Sequence, residues 1–326
     1  MLSTFRRKAT TLFFWTACLA GLAAQEPARS AKPGQSRQQH SVPGVQQSAS
    51  GTEAKPPELP PTNDPKEIVR RSIETDHRNW ERARNYTCQQ REVEKRLGKH
   101  GEVKSTEIRT YDVNFYYGEE YSRLIQKDDK PLSDAERKKE DEKLEKFLSK
   151  LRNQSGEEHE KRLAKEKRGR EEHRAFLRDV VNAYDFTLVG EETVDGADTW
   201  VIQAAPRKDF HPTQPHADML SKIKGKVWIE KKEYNWVKAE AESIGTISFG
   251  LFLARVHPGS RFSFEQTHLN NEVWLVRRFY INGGVRVALL KNLSGEQEDT
   301  FSNYKKFVTS TRILPGKEVP PEQPRK

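Results

Sequence analysis

Asp209, His211 and His216 fall within one Pro-rich segment, DFHPTQPH, and all three are metal-ligating types. A loop does not fix ligand spacing as a helix or strand does, and a complete ligand set is not evident, so solvated loop histidines are expected there. The chain carries no Gly-x-Ser-x-Gly elbow, no phosphate loop and no HExxH zinc motif. General acid–base or nucleophilic chemistry needs a desolvated, paired group, and no carboxylate pair stands in an obviously apolar setting. The expectation is therefore no enzyme, no catalytic residue, no metal and no cofactor.

The informative residues are apolar. If Gly245 to Val256 is one strand, period two places Ile247, Phe249, Leu251 and Leu253 on one face, with Phe262 and Phe264 on the next strand. Ser248, Gly250, Phe252 and Ala254, on the other face, are small or apolar, so both faces are covered. Two readings stay open: a closed core under a helix, or an apolar concavity that holds an acyl chain. Ile247, Phe249, Leu251, Leu253, Phe262 and Phe264 are the candidate ligand-binding residues. Trp228 and Trp274 read as framework.

Residues 1–24 have the organisation of a secretory signal peptide: Arg6, Arg7 and Lys8, then the apolar run Thr11 to Leu22, then small residues at Gly21 to Ala24. The apolar run is too short to span a bilayer comfortably. Cys18 lies late in that run. It is either an incidental residue of a discarded peptide or a lipidation site, since Trp15-Thr16-Ala17-Cys18 is a poor version of a bacterial lipobox. Loss of residues 1–24 removes three of 57 bases and none of 48 acids, which takes the net charge from +9 to +6. Cys88 would then be the one cysteine left, so neither an intramolecular disulfide nor a Cys-based metal site can form. An exported domain without disulfides suits a bacterial periplasm, with outer-membrane association a further option.

Residues 25–63 are rich in Pro, Gln, Ser, Ala and Gly and read as a disordered linker; the tail 315–326 reads the same way. Folded structure is expected over 64–314. Asp64-Pro65-Lys66-Glu67 is a helix start, followed by Val69, Ile73, Asp76, Trp80 and Ala83 at helical spacing. Strands are expected at Tyr86–Arg96, Val103–Tyr117 and Tyr121–Gln126, where Glu92, Glu94, Lys104, Glu107 and Arg109 mark a solvated face. A charged helical insertion spans 134–183, broken near Asn153 to Gly156. Between Asp134 and Arg178 there are 12 acids and 15 bases. That near balance, with export, excludes nucleic acid as a partner. From Phe186 onward tight turns join consecutive strands, including Asp195-Gly196, Asn270-Asn271 and Gly283-Gly284. Ten to twelve antiparallel strands are too many for a flat sheet and should curl into a barrel or half-barrel.

Tyr121-Ser-Arg-Leu-Ile-Gln126, Lys130-Pro-Leu-Ser133, Lys226-Val-Trp-Ile-Glu230, the run Thr246 to Arg255 (TISFGLFLAR) and Glu272-Val-Trp-Leu275 resemble exported bacterial outer-membrane lipoprotein-sorting proteins of the LolA/LolB-like superfamily. The resemblance covers roughly 64–310. It implies a mainly β fold, an unclosed half β-barrel of curved antiparallel sheet with helices over the concave side. It also implies a carrier or sorting role in the cell envelope, with a lipid or lipoprotein acyl chain bound in the concavity. The alternative is an envelope sensor or interaction module on the same half-barrel, using the charged helices to contact a membrane-protein partner.

Overall fold

The computed structural model describes residues 62–249, 254–287 and 291–307. The signal-peptide, Cys18, linker and C-terminal-tail expectations lie outside the described residues, as do Leu251 and Leu253. Helix α1 (Pro65–Ala83) starts as its sequence dictates. The Asp64 carboxylate accepts from the Lys66 amide, Pro65 pre-sets φ in the first turn, and Glu67 adds negative charge there. Its buried residues are Ile68, Val69, Arg71, Ser72 and Thr75, and of the expected stripe Val69 is buried and Ile73, Asp76, Trp80 and Ala83 are half-buried. Ser72 is tolerated inside because its hydroxyl accepts from Trp236 Nε1 at 2.7 Å and donates to the Val69 carbonyl at 2.7 Å.

Four strands follow α1: β1 (Tyr86–Leu97), β2 (Val103–Tyr116), β3 (Glu119–Lys127) and β4 (Lys130–Pro131). Helices α2 (Asp134–Arg152) and α3 (Gly156–Ala183) come next. Both begin with reciprocal capping boxes, Ser133 with Glu136 and Ser155 with Glu158, and α2 ends at Asn153. The chain then runs through β5 (Tyr184–Val194), β6 (Ala197–Pro206), a 3-10 turn (Ala217–Lys222), β7 (Ile223–Glu230), β8 (Trp236–Ser243), β9 (Ile247–Phe249), β10 (Ala254–Val256), β11 (Arg261–Leu269), β12 (Val273–Val287) and β13 (Lys291–Lys306).

All pairs among these strands are antiparallel, in the order β4-β3-β2-β1-β13-β12-β11-β8-β7-β6-β5, with the short β9–β10 hairpin attached to β12. The last strand returns to pair with the first, from Tyr86↔Lys306 to Leu97↔Ser294, and so joins the two halves. β4 and β5 do not pair with each other, so the curved sheet is unclosed. The β4 edge is only two residues long and contains proline, which blunts it against further pairing. Asp195-Gly196 and Asn270-Asn271 take positive φ (52°, 79°, 53°, 55°), the condition for tight hairpin turns.

Two expectations about the last strands fail. Gly245 to Val256 is not one strand. Ala254 pairs with Phe249 and Val256 with Ile247, so the chain reverses between Phe249 and Ala254. An apolar alternation does not distinguish a long strand from two short arms of a hairpin. Gly283-Gly284 is not a turn either; β12 runs straight through it. The glycines serve close approach. A Cβ on Gly283 would stand 2.2 Å from Ser260 Oγ, and one on Gly284 would stand 3.0 Å from the His257 ring.

Helix α1 covers the β5–β8 half of the sheet: Ile68 and Val69 pack on Trp200, Ile202, Val227 and Ile229. Helix α3 crosses the opening between the two edges. Near its start Arg162 donates to the Tyr117 carbonyl (3.2 Å) and pairs with Glu119 (3.0 Å) at the β2–β3 turn. Its far end runs directly into β5, burying Phe176 and Ala183 against Tyr184, Ala217 and Leu220. Twenty-eight residues give it a length of about 42 Å. Helix α2 lies along β3, with Phe147 against Tyr121 at 4.8 Å between ring centroids.

Candidate functional site

Between α1, α3 and the concave face of the sheet lies a cavity of about 900 Å³. Its size follows from a row of small residues. Ala204, Gly225 and Ala241 are direct neighbours across β6, β7 and β8, and Phe262 on β11 continues the row. All four line the cavity. Gly225 has no substitute there, because a Cβ would stand 2.4 Å from the Glu240 carbonyl oxygen. Around this floor stand Phe176, Leu177 and Val180 of α3, and Phe279, Phe301 and Leu275 of the central strands.

Of the sequence-derived candidates, Ile247, Phe262 and Phe264 line this cavity. Ile247 is 2% exposed and Phe264 9%. For Phe249 the backbone position in β9 is described and nothing further. Trp274 lines the cavity and stacks on His268 at 4.7 Å, while Trp228 is buried with Nε1 donating to Glu192 at 2.8 Å. The loop residues do not assemble: Asp209 is held by Arg207 through two contacts of 3.0 and 2.7 Å, and among the described residues no group of three metal-ligating side chains forms.

The β1–β2 hairpin corrects a larger expectation. Lys104 and Glu107 are solvated as expected, but Glu92, Glu94 and Arg109 are largely withdrawn from solvent. On β1 the cavity-lining side is Tyr86, Cys88, Gln90, Glu92 and Glu94, and on β2 it is Phe115, Val113, Tyr111, Arg109 and Glu107. Each strand therefore grades from apolar to charged along its inward face. Alternation gave the parity correctly; that one parity carries both aromatics and charges was the overlooked signal. Arg109 bridges Glu92 at 2.6 Å and Glu94 at 3.9 Å and also contacts Glu107. Burial pushes the Glu92 carboxyl up, against the pull of Arg109.

Two desolvated carboxyls, for which the sequence holds no local signal, stand on β3 and β13. Burial alone pushes Glu120 up to about 7. Among the described residues its carboxyl makes no hydrogen bond and no ion pair, and it faces the cavity. Burial pushes Asp299 up to about 7 as well, with a further push from Glu92, its cross-strand neighbour. Asp299 is 0% exposed and accepts from the amides of Gln90 and Gln297, each at 3.0 Å. Cys88 also faces the cavity, and burial, with Glu120 nearby, pushes its thiol up to about 12.

No family model matches the sequence, and a search of curated proteins finds no match. Solved structures do match, at low identity. A putative outer membrane lipoprotein-sorting protein domain from Vibrio parahaemolyticus is 12% identical over 75% of this chain and 95% of that one, with a TM-score of 0.32. A LolA superfamily protein from Nitrosomonas europaea is 13% identical over 77% and 94%, with a TM-score of 0.25. MucB in the MucA/MucB complex of Pseudomonas aeruginosa is among the others, 12% identical over 75% and 99%, with a TM-score of 0.24. Among the described residues no helix is long and apolar enough to cross a membrane.

Proposed function

We propose that this chain is an exported protein of the bacterial envelope that binds one acyl chain, of a lipid or lipoprotein, in the cavity and carries it without chemistry. The observation that supports this reading is the hollow itself. The concave face is not plugged: its floor is Ala204, Gly225 and Ala241, and its walls are aromatic and aliphatic towards α3 and the central strands and charged along the far end of β1 and β2. About 900 Å³ falls within the ordinary range of ligand sites. Burying a twelve-carbon stretch there is worth about 10 kcal/mol before ordering costs, at about 0.8 kcal/mol per CH₂. The same non-directional force releases the chain to a more apolar acceptor, so a carrier needs no catalytic group.

The test is to purify the protein from its host, extract it and identify bound lipid by mass spectrometry, alongside titration with an acyl probe. Co-purifying acyl lipid and saturable probe binding are expected. Absence of both would leave the carrier reading without support.

A second reading has its own observation. Helix α2 buries only Glu140, and α3 buries Phe176, Asp179 and Ala183, all towards its C-terminal end. The charged stretch before Phe176 is thus exposed enough to contact a membrane-protein partner. Loss of a specific partner on deleting Asp134–Lys167, with acyl binding absent in the intact protein, would favour an interaction module.

A further inference from the structure

Two polar side chains stand next to each other on β3 and line the cavity. Glu120 and Ser122 are two residues apart, so they share one face of the strand, about 7 Å from each other along it. Their cross-strand neighbours on β2 are Phe115 and Val113, and Leu124 follows on the same face. Both are half-buried, and among the described residues neither makes a hydrogen bond or an ion pair. Polar groups withdrawn from water normally find a protein partner, and the fold supplies none for these two. Nearby polar groups are engaged: the Tyr304 hydroxyl donates to the Val276 carbonyl, and Gln90 donates to Asp299. Helix α3 divides in the same way. Near its start Arg162 holds Glu119, the residue before Glu120, whereas Phe176, Leu177 and Val180 line the cavity from its far end.

Resting on the acyl-binding reading above, we infer that Glu120, with Ser122 beside it, anchors the ester or amide carbonyl of a bound acyl chain, whose hydrocarbon then runs towards α3 and the floor. A neutral carboxyl and a hydroxyl each donate one hydrogen bond, and a carbonyl oxygen has two lone pairs to accept them. Burial holds Glu120 at about 7, so its donating form is present at neutral pH. Once ionised it only accepts, and it turns like partial charge towards the carbonyl oxygen. The anchor is therefore complete below about pH 7 and lost above it. Around Glu120, Cys88 of β1 and Tyr304 of β13 are pushed up by burial and stay neutral through that window. Glu119 pairs with Arg162 of α3, which also contacts His159, and Glu140 of α2 pairs with Lys143. Arg84 of α1 lines the same cavity, where it lies over the Trp80 ring at 5.3 Å and faces Glu81 at 3.8 Å. Asp299 shares the pH window but accepts from Gln90 and Gln297. Gln266 of β11 also lines the cavity without a hydrogen bond among the described residues, five strands away in the sheet, and its amide does not titrate.

The experiment uses the full chain and two uncharged ligands of equal chain length, glyceryl monolaurate and its ether analogue 1-O-dodecylglycerol, which lacks only the carbonyl. Each displaces a neutral fluorescent naphthylamine probe below its micelle concentration. At about pH 6 the ester should bind about three- to tenfold more tightly than the ether, the worth of one net hydrogen bond. At about pH 8.5 that gap should close. Glu120→Gln keeps a donor that does not titrate, so it should hold the gap at both pH values and remove the effect of Asp299 or a histidine from the comparison. Glu120→Leu should abolish the gap without weakening the ether, with the melting temperature read alongside; if it does not fold, the pH profile of Glu120→Gln decides. Equal affinity of ester and ether in the wild type at about pH 6 overturns the inference while leaving the acyl cavity intact. So does a gap that survives in folded Glu120→Leu, or one that still closes with pH in Glu120→Gln. Failure of both ligands to displace the probe, or of the probe to bind, overturns the acyl-binding reading itself and this inference with it.

Discussion

Cys88 is a half-buried, desolvated thiol rather than a nucleophile in waiting. It faces the cavity, and desolvation, with Glu120 nearby, pushes it from the usual thiol range up to about 12. A rise from 9.0 to about 12 lowers the thiolate fraction at a given pH by about a thousandfold, and the thiolate is the reactive form. Iodoacetamide should therefore alkylate Cys88 slowly in the native chain and at the ordinary rate in urea. A native rate within about tenfold of the unfolded one would mean that the thiol is not desolvated. Asp299 gives a pH prediction. Its folded pKa is raised to about 7, so between the ordinary aspartate value and 7 the folded state holds more protons than the unfolded state. Stability contributed by this group is greatest at low pH and falls as pH rises through that window. Glu67, held down to about 2 by Arg70 and Arg71, acts in the opposite sense and only at lower pH. The measurement is the melting temperature of wild type and Asp299→Asn from about pH 5 to about pH 8. The wild type should lose more stability over that range, on the order of a few kcal/mol relative to the variant; parallel curves would refute a raised Asp299.

At the level of elements, what sequence reading reached and what it missed have a common cause. Caps and turns are local, so the Asp64 cap, the helix break near Asn153 to Gly156, and the Asp195-Gly196 and Asn270-Asn271 turns were legible from the residues themselves. Inward or outward parity on β1 and β2 was also legible, but which face met the cavity was not. That depends on β13 returning over some two hundred residues to pair with β1. The double glycine at 283–284 was misread for the same reason. It resembles a turn locally, and its need comes from Ser260 and His257 of a distant loop. Gly283→Ala tests this. Its Cβ would press on Ser260 Oγ and lie 3.0 Å from the Ser260 Cα, so the 257–260 loop must shift. Overpacking of this kind costs about 1–3 kcal/mol. A turn glycine at positive φ would give a comparable loss, so the informative control is Ser260→Gly combined with Gly283→Ala. Recovery of most of the lost stability in the double variant supports close packing, and simple additivity speaks against it.

At the scale of the whole molecule, one surface has to serve two ends that compete. The sheet must bury enough apolar area to hold a domain with no disulfide among its described residues, yet leave its concave face open. The chain separates the tasks. Helix α1 packs Ile68 and Val69 onto Trp200, Ile202, Val227 and Ile229, which secures one half of the sheet as a dry core. The row Ala204, Gly225 and Ala241 leaves the adjoining region hollow. If the hollow exists for a ligand and not for the fold, filling it should cost function and not stability. Ala241→Phe is the variant of choice, because Ala241 lines the cavity between Gly225 and Phe262 and its side chain has space ahead of it. Acyl-probe affinity should fall by about tenfold or more while the melting temperature holds or rises, as cavity-filling substitutions commonly add about 0.5–2 kcal/mol. If Ala241→Phe instead unfolds the protein and leaves no loss of affinity in the folded fraction, the hollow is a packing feature of the barrel, and the acyl chain has to be sought elsewhere on the molecule.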